Sequence, residues 1–385
     1  MKNIAILGST GSIGKSALSI AKAHPDLFTI SALAANTSVD LIEQQVRQFH
    51  PKLVALYDQS AANLLRRRIS DLKSVEVMSG AMGISAVAKI DEAELVLEAM
   101  GGSIGLLPTL EAIEAGKDLA FVNKEVLVMC GSLVQRAAKK HNVKLLPVDS
   151  EISAVFQCLP KSFQKDRIHK LILTASGGPF RETSSNQLRH MTPEQALKHP
   201  NWTMGNKVTI DSATMMNKGL EVIEAKCFFE LELKNIEIVV HAESIIHSMV
   251  EFVDGSMLAQ LGVPDMRVPI QYALTYPDRL ENPADRLDFS QIRQFNFEPP
   301  DFKRFPCLDL AYTAAEVGGT LPTVLSSSDE VVVDAFLNRQ IGFMDIPAII
   351  RRAMDLHDVV YEAELDQILE INRWTREITR KIIGN

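Results

Sequence analysis

The chain has 385 residues, of which 46% are hydrophobic and 23% charged, with a formal net charge of −8. Such proportions describe a globular protein with room for two or three cores, and the acidic balance argues against nucleic acid as a partner. No apolar run approaches the roughly 18 residues that span a bilayer, and Cys130, Cys158, Cys227 and Cys307 lie too far apart to spell a zinc site or a disulfide framework.

A strand pattern starts almost at Met1, which leaves no space for a targeting peptide and, with the cysteine usage, predicts a reduced cytoplasm. The first strand, Lys2 to Leu7, runs into Gly8-Ser9-Thr10-Gly11-Ser12-Ile13-Gly14, and a helical stretch follows from Lys15 to Ala23. Glycines let the backbone turn tightly beside a pyrophosphate, and the helix N-terminus offers N–H groups and the positive end of a dipole. The spacing is GxxGxxG rather than GxGxxG, so the flanking strand and helix, more than the motif, favour dinucleotide binding over an ordinary βα turn.

Further strands are expected at Phe28–Ala34, Leu53–Tyr57, Val75–Met78, Leu95–Glu98, Leu119–Phe121 and Leu145–Val148, with helices such as Val39–Phe49 and Leu107–Ala115 between them. Alternating βα units predict a doubly wound, Rossmann-like parallel sheet over residues 1–148, with ligand crevices at the carboxyl ends of its strands. Gly8–Gly14, Met100–Ser103 and Asn123-Lys124-Glu125 lie at those ends. This half carries a small positive excess, and the net negative balance lies wholly in the remainder.

Residues 149–276 mix a helix at Ile152–Leu159 with strands at Leu171–Thr174, Ile236–Val240, Ser248–Val253 and Met257–Leu261, an α+β texture. Residues 277–306, with five prolines, read as an extended linker. Residues 307–385 read as a helical bundle, with a capping box at Ser327-Ser-Asp-Glu330, a helix start at Asp345 and an apolar stripe at Leu365, Ile368, Leu369 and Ile382.

Chemistry concentrates in two segments. Asp149-Ser150-Glu151 follows the last strand of the first domain, and Asp211-Ser212-Ala-Thr-Met-Met-Asn217-Lys218-Gly-Leu-Glu221 opens a helix. Asp149 or Ser150 could simply cap the next helix. Together with Glu221, however, Asp149 and Glu151 supply the oxygen half-shell that a hard cation such as Mg²⁺ prefers. For Glu221 the alternative is a solvated helix position, which Glu224 fits better. Ser176, Ser212, Asn217 and Lys218 are donors suited to a phosphate, although a turn serine and an exposed lysine are the plain readings of Ser176 and Lys218. His199-Pro-Asn-Trp202-Thr-Met204-Gly205 has no periodicity and reads either as a loop that closes over a ligand or as one anchored by a buried tryptophan. His241 and His247 have no metal-ligand spacing.

These segments, with Ser176-Gly-Gly-Pro-Phe-Arg-Glu182 and Gly262-Val-Pro-Asp-Met266-Arg267, resemble the 1-deoxy-D-xylulose 5-phosphate reductoisomerase family along the whole chain. The resemblance implies NADPH- and metal-dependent rearrangement and reduction of that sugar phosphate to 2-C-methyl-D-erythritol 4-phosphate, in isoprenoid synthesis independent of mevalonate. It implies Mg²⁺ or Mn²⁺, with Co²⁺ as a further option, held by Asp149, Glu151 and Glu221. It places Lys124, Ser150 and Glu151 beside the substrate, and Ser176, His199, Ser212, Asn217 and Lys218 around its phosphate. Trp202 and Met204 fall on the closing loop. Cofactor contacts fall on Gly8, Ser9, Thr10, Gly11, Ser12, Ile13, Asn36, Asn123, Glu125, Gly205 and Met266, and a homodimer is implied. Two departures stand out. No basic residue follows the second strand at Asn36-Thr37-Ser38, so discrimination against NAD is expected to be weaker, and His241-Ala-Glu243-Ser replaces the family's His-Pro-Gln-Ser. The rival readings are another metal-dependent NADP oxidoreductase acting on a sugar phosphate, and a cofactor sensor without turnover.

Overall fold

The computed structural model describes residues 1–160 and 163–384. They form two compact units, one of residues 1–123, 134–149 and 266–285, the other of the described residues within 124–133, 150–265 and 286–384.

The first unit is built on a seven-stranded parallel sheet: β1 (Lys2–Leu7), β2 (Phe28–Ala35), β3 (Leu53–Leu56), β4 (Glu76–Ser79), β5 (Leu95–Glu98), β6 (Asp118–Phe121) and β7 (Leu145–Pro147). Their spatial order is β4-β3-β2-β1-β5-β6-β7, so the winding reverses between β1 and β5, where such sheets open a ligand crevice. Every strand expected in residues 1–148 is present. Helices α1 (Ser12–Ala23), α2 (Val39–Phe49), α3 (Gln59–Arg68), α4 (Gly80–Lys89) and α5 (Leu106–Glu114) connect them, followed by α6 (Lys124–His141). Strands covered on both faces must be apolar throughout, and β3 and β5 are buried at all their residues, whereas edge strand β4 is not.

The second unit holds α7 (Ser150–Cys158), β8 (Ile168–Ala175), the short α8 (Ser185–Leu188) and α9 (Pro193–Ala196), α10 (Asn206–Thr214), α11 (Met216–Phe228), and β9 (Ile236–Val240), β10 (Ile246–Phe252) and β11 (Met257–Leu261). The sheet runs β11-β10-β8-β9, with β8 and β9 parallel and the other pairs antiparallel. α12 (Arg267–Thr275) packs on α1, β6 and β7, so Met266 and the helix it opens belong to the first unit.

From Pro277 to Phe305 there is no helix and, apart from an isolated bridge between Glu298 and Val240, no sheet pairing. Four helices follow: α13 (Pro306–Val317), α14 (Leu321–Leu337), α15 (Asp345–Asp355) and α16 (Leu365–Gly384). They share one apolar cluster with the second sheet, running from Ile152 through Leu220 to Met354. α11 lies directly on α13 at Gly219, where an added Cβ would sit 2.5 Å from that of Ala311. This close approach fixes the helix that carries Lys218 and Glu221.

Two expectations are corrected here. Ser327–Glu330 do not start a helix; they lie inside α14, which begins at Leu321 with Pro322 in its first turn. The serine hydroxyls are satisfied within the bundle, Ser328 by the carbonyl of Val324 and Ser327 by Asn372. Glu224 is not solvated but 1% exposed, because α11 is covered by the sheet, α7 and α13.

Candidate active site

The Asp211–Glu221 segment does not open one helix but straddles two. Met215 takes a left-handed conformation (φ 63°) and ends α10 while starting α11. Ser212 therefore lies in the last turn of α10, and Asn217, Lys218 and Glu221 in the first turns of α11. Spacings of three and four residues put both Lys218 and Asn217 beside Glu221. Asn217 Nδ2 donates to Glu221 Oε1 at 2.5 Å, and the Lys218 ammonium contacts Glu221 Oε2.

Two further helix starts converge on this face. Lys124, first residue of α6, donates from Nζ to Glu221 Oε1 at 3.0 Å and to Asn217 Oδ1 at 2.8 Å. Glu151, in the first turn of α7, accepts from Lys218 Nζ at 2.6 Å and from Ser150 Oγ at 2.5 Å. Asp149 immediately precedes Ser150, the first residue of α7. One oxygen from each of Asp149, Glu151 and Glu221 lies within 4.8 Å of the others, the one such cluster among the described residues. Three carboxylates facing one another need positive charge between them, and an all-oxygen donor set of this kind fits Mg²⁺ or Mn²⁺.

The electrostatics follow from this geometry. Burial pushes the Glu151 carboxyl up, but Lys218 and Lys124 outweigh it and hold it at about 2. For Lys218, burial works against the charge, and Glu151 and Glu221 more than compensate, leaving it above the ordinary lysine value. Glu151 is thus ionised and Lys218 charged at neutral pH.

The loop after β8 brings in Ser176. Gly177 and Gly178 have φ of 79° and 67°, and a Cβ on Gly178 would meet the Ser212 carbonyl oxygen at 2.4 Å. Only glycine allows this loop to lie against the end of α10. Ser176 Oγ accepts from Gly178 N (3.2 Å) and lies 3.0 Å from His199 Nε2. His199 Nδ1 accepts from the backbone N–H groups of Asn201 (3.2 Å) and Trp202 (3.0 Å), so the neutral tautomer carries its proton on Nε2 and donates to Ser176. Burial lowers the His199 pKa, outweighing the opposing pull of Glu151, and so favours the neutral ring. With two donors directed at its oxygen, Ser176 keeps its own hydroxyl proton for a ligand. Trp202 packs on His247, ring centroids 5.9 Å apart. His247 is 8% exposed, and burial holds its pKa down against the pull of Glu151.

The first unit carries the dinucleotide candidates. A Cβ on Gly14 would lie 2.5 Å from the Gly8 carbonyl oxygen, so the turn closes only on glycine. Gly11 precedes α1 with no side-chain cap and no acid follows in the first turn, which leaves the helix dipole to an anion. Ser9 faces inward, exchanging hydrogen bonds with Gln45, whereas Ser12, Asn36 and Thr37 are exposed. Asn123 donates to the carbonyls of Met100 and Gly102 (2.9 Å for the latter), fixing the loop that ends β5.

In the second unit, Glu125 is buried and bound to Lys207 Nζ at 2.9 Å. Sequence reasoning overlooked Lys207, whose only signal was its spacing of four residues from Asp211. His241 lies outside this constellation: Nδ1 contacts the Asn296 carbonyl (2.9 Å) and Glu243 (3.1 Å), and its ring stacks on Phe297.

A doubly wound nucleotide-type sheet in one unit, with Glu151, Glu221, Lys124 and Lys218 converging in the other, defines the class: an oxidoreductase that uses a metal and a dinucleotide. A model of the 1-deoxy-D-xylulose 5-phosphate reductoisomerase family matches residues 4–131, and models of the C-terminal domains of that enzyme match 145–229 and 261–378. The chain belongs to this family. It is 50% identical to the 1-deoxy-D-xylulose 5-phosphate reductoisomerase of Chlorobium phaeobacteroides (strain BS1) over the full length of both, and 50% identical to that of Geobacillus sp. (strain WCH70), again with complete coverage of both. Among solved structures, a DOX-P reductoisomerase in complex with NADPH, fosmidomycin and magnesium superposes with a TM-score of 0.94 at 39% identity, covering 100% of this chain and 98% of that one. The Zymomonas mobilis enzyme in complex with NADPH gives 0.93 at 42% identity, covering 99% of each chain.

Proposed function

We propose that this protein converts 1-deoxy-D-xylulose 5-phosphate and NADPH to 2-C-methyl-D-erythritol 4-phosphate with the help of a divalent cation, and that Glu221 stands at the centre of the site. The observation that carries the reading is the convergence of Asp149, Glu151 and Glu221 with Lys124 and Lys218. A sensor that only binds NADPH has no use for such a cluster.

Asp149, Glu151 and Glu221 would hold Mg²⁺ or Mn²⁺, and Gly8, Gly11, Ser12 and the start of α1 would hold the cofactor's pyrophosphate, with Asn36 and Thr37 at its 2′-phosphate. When bound, the cation supplies Lewis acidity to the substrate's carbonyl and neighbouring hydroxyl, and the nicotinamide supplies hydride. Lys124 adds a second positive charge where oxygen gathers electron density. Ser176, backed by His199, donates to the phosphate together with Ser212 and Asn217. Lys218 reaches it from the same helix turn, its long stem letting the ammonium turn from the carboxylates. The Trp202 loop excludes water during reduction.

The work divides along the chain: residues 1–148 serve the cofactor, 149–276 carry metal and substrate residues apart from Lys124, with Gly205 and Met266 as further cofactor contacts, 277–306 link, and 307–385 buttress α11. Assembly as a homodimer belongs to the same proposal and is checked by sedimentation. Among the described residues no helix is long and apolar enough to cross a membrane, and action in the cytoplasm is proposed with the activity. Protein mixed with 1-deoxy-D-xylulose 5-phosphate, NADPH and Mg²⁺ is expected to consume reduced nicotinamide, and a chelator to stop it. No consumption with metal present, or undiminished consumption after chelation, would defeat the reading.

A further inference from the structure

Behind the active-site cluster lies a second knot of charge in the same unit. Lys207 Nζ sits 2.9 Å from Glu125 on α6, 2.7 Å from Asp211 on α10 and 2.9 Å from Asp329 on α14. The three acids are between 0% and 6% exposed, so one ammonium answers three buried carboxylates. Burial and the neighbouring Asp329 push the Asp211 carboxyl well above its ordinary range, against the pull of Lys207, which relieves part of the excess negative charge.

Three of its members lie close in sequence to residues of the proposed site, and one of them, Glu125, is itself a candidate cofactor contact. Glu125 follows Lys124, Asp211 precedes Ser212, and Lys207 is the second residue of α10, directly after the His199–Gly205 loop. α10 is therefore tied at its loop end, through one atom, to the helix that presents Lys124 and to the bundle. We propose that Lys207 is a positioning residue: its ammonium clamps the start of α10 and so fixes both the root of the Trp202 loop and the placement of Ser212 relative to Lys124. A misplacement of about 1 Å at such distance from the chemistry costs on the order of a hundredfold in rate. The inference rests on the proposed phosphate site, and its test has a readout apart from turnover.

The chain has two tryptophans, and Trp374 on α16 packs against His357, so Trp374→Phe leaves Trp202 as the sole reporter. In that background inorganic phosphate is expected to shift the Trp202 emission. Adding Lys207→Met should raise the phosphate concentration at half-change by about tenfold or more and lower kcat by about ten- to a hundredfold. Lys207→Arg, which keeps the charge, should restore most of both. Asp329→Asn leaves Lys207 two partners and should move both quantities the same way by less. If Lys207→Met does not fold, Asp329→Asn decides. Variants that melt earlier but keep the phosphate response, KM and kcat of the reference protein would show the knot to be structural only and overturn the proposal. Failure of the activity itself is read separately, as a reference protein that answers phosphate but oxidises no NADPH.

Discussion

Glu221→Gln tests the centre of the site with the least change of shape. The side chain is fully buried, and its two oxygens take contacts from Lys124, Asn217 and Lys218. The amide keeps one acceptor and the volume but removes the charge. Two unit charges about 4 Å apart interact by about 4 kcal/mol at the effective dielectric of a protein interior, and a divalent ion doubles the figure before desolvation takes part of it back. A net loss of about 4 kcal/mol corresponds to roughly a thousandfold in cation affinity. Metal-dependent turnover should fall by at least that factor, followed through the absorbance of reduced nicotinamide. Calorimetric titration should show Mg²⁺ binding weakened equally and NADPH binding nearly unchanged, because the glycine turn lies in the other unit. Circular dichroism checks that the variant is folded. Turnover within about tenfold of the parent, or a matching loss of NADPH affinity, would refute the reasoning.

Lys218→Ala should raise KM for the substrate and lower kcat as well if phosphate binding drives loop closure; both constants unchanged would remove Lys218 from the phosphate site. Burial depresses the pKa values of His199 and His247, so the unfolded chain binds more protons below about pH 6.5. Stability from both is therefore complete above that pH and declines as the pH falls toward the folded-state values. Urea midpoints measured across that window should drop with acidification, and His199→Asn should flatten part of the slope. Gly178→Ala forces a Cβ against the Ser212 carbonyl at a positive φ, costing on the order of 1–3 kcal/mol; thermal melts and substrate KM should both move, and a variant indistinguishable from the parent would show that the loop approaches α10 less closely. Comparing kcat/KM for NADPH and NADH should show NADPH preferred by a modest ratio, and a clear NADH preference would overturn the cofactor assignment.

The sheet of the first unit was readable because parallel strands covered on both faces must be continuously apolar, and runs such as Leu53–Leu56 are unmistakable against polar loops. The acids and donors were readable because carboxylates and hydroxyls clustered outside any apolar period have few other uses. What escaped was burial set by tertiary packing. Glu224 and Asp329 sit on helices whose polar faces look solvated in sequence, yet most of α11 and α14 is buried by neighbouring elements. Lys207 was invisible for the same reason, since two of its three partners, Glu125 and Asp329, come from distant helices. The break at Met215 had no glycine or proline to announce it. The left-handed residue there is a methionine, whose conformational cost the surrounding core sustains.

The charge count at the proposed site shows why the lysines stand among the acids. Asp149, Glu151 and Glu221 bring three negative charges, and Lys124 and Lys218 return two, so the cluster carries about one negative charge by itself. With Glu151 held at about 2, binding of a divalent ion near neutral pH needs no proton displaced from that carboxylate. The ion would turn the local balance positive by one unit, and a sugar phosphate would turn it negative again. Each ligand therefore improves the field for the other, and by linkage the gain is mutual: metal must tighten phosphate binding by the same factor as phosphate tightens metal binding. An acid triad without lysines would hold the ion more tightly but leave a net negative site that repels the substrate. On the proposed assignment the two ammonium groups would give up some metal affinity so that an anion could follow the cation in.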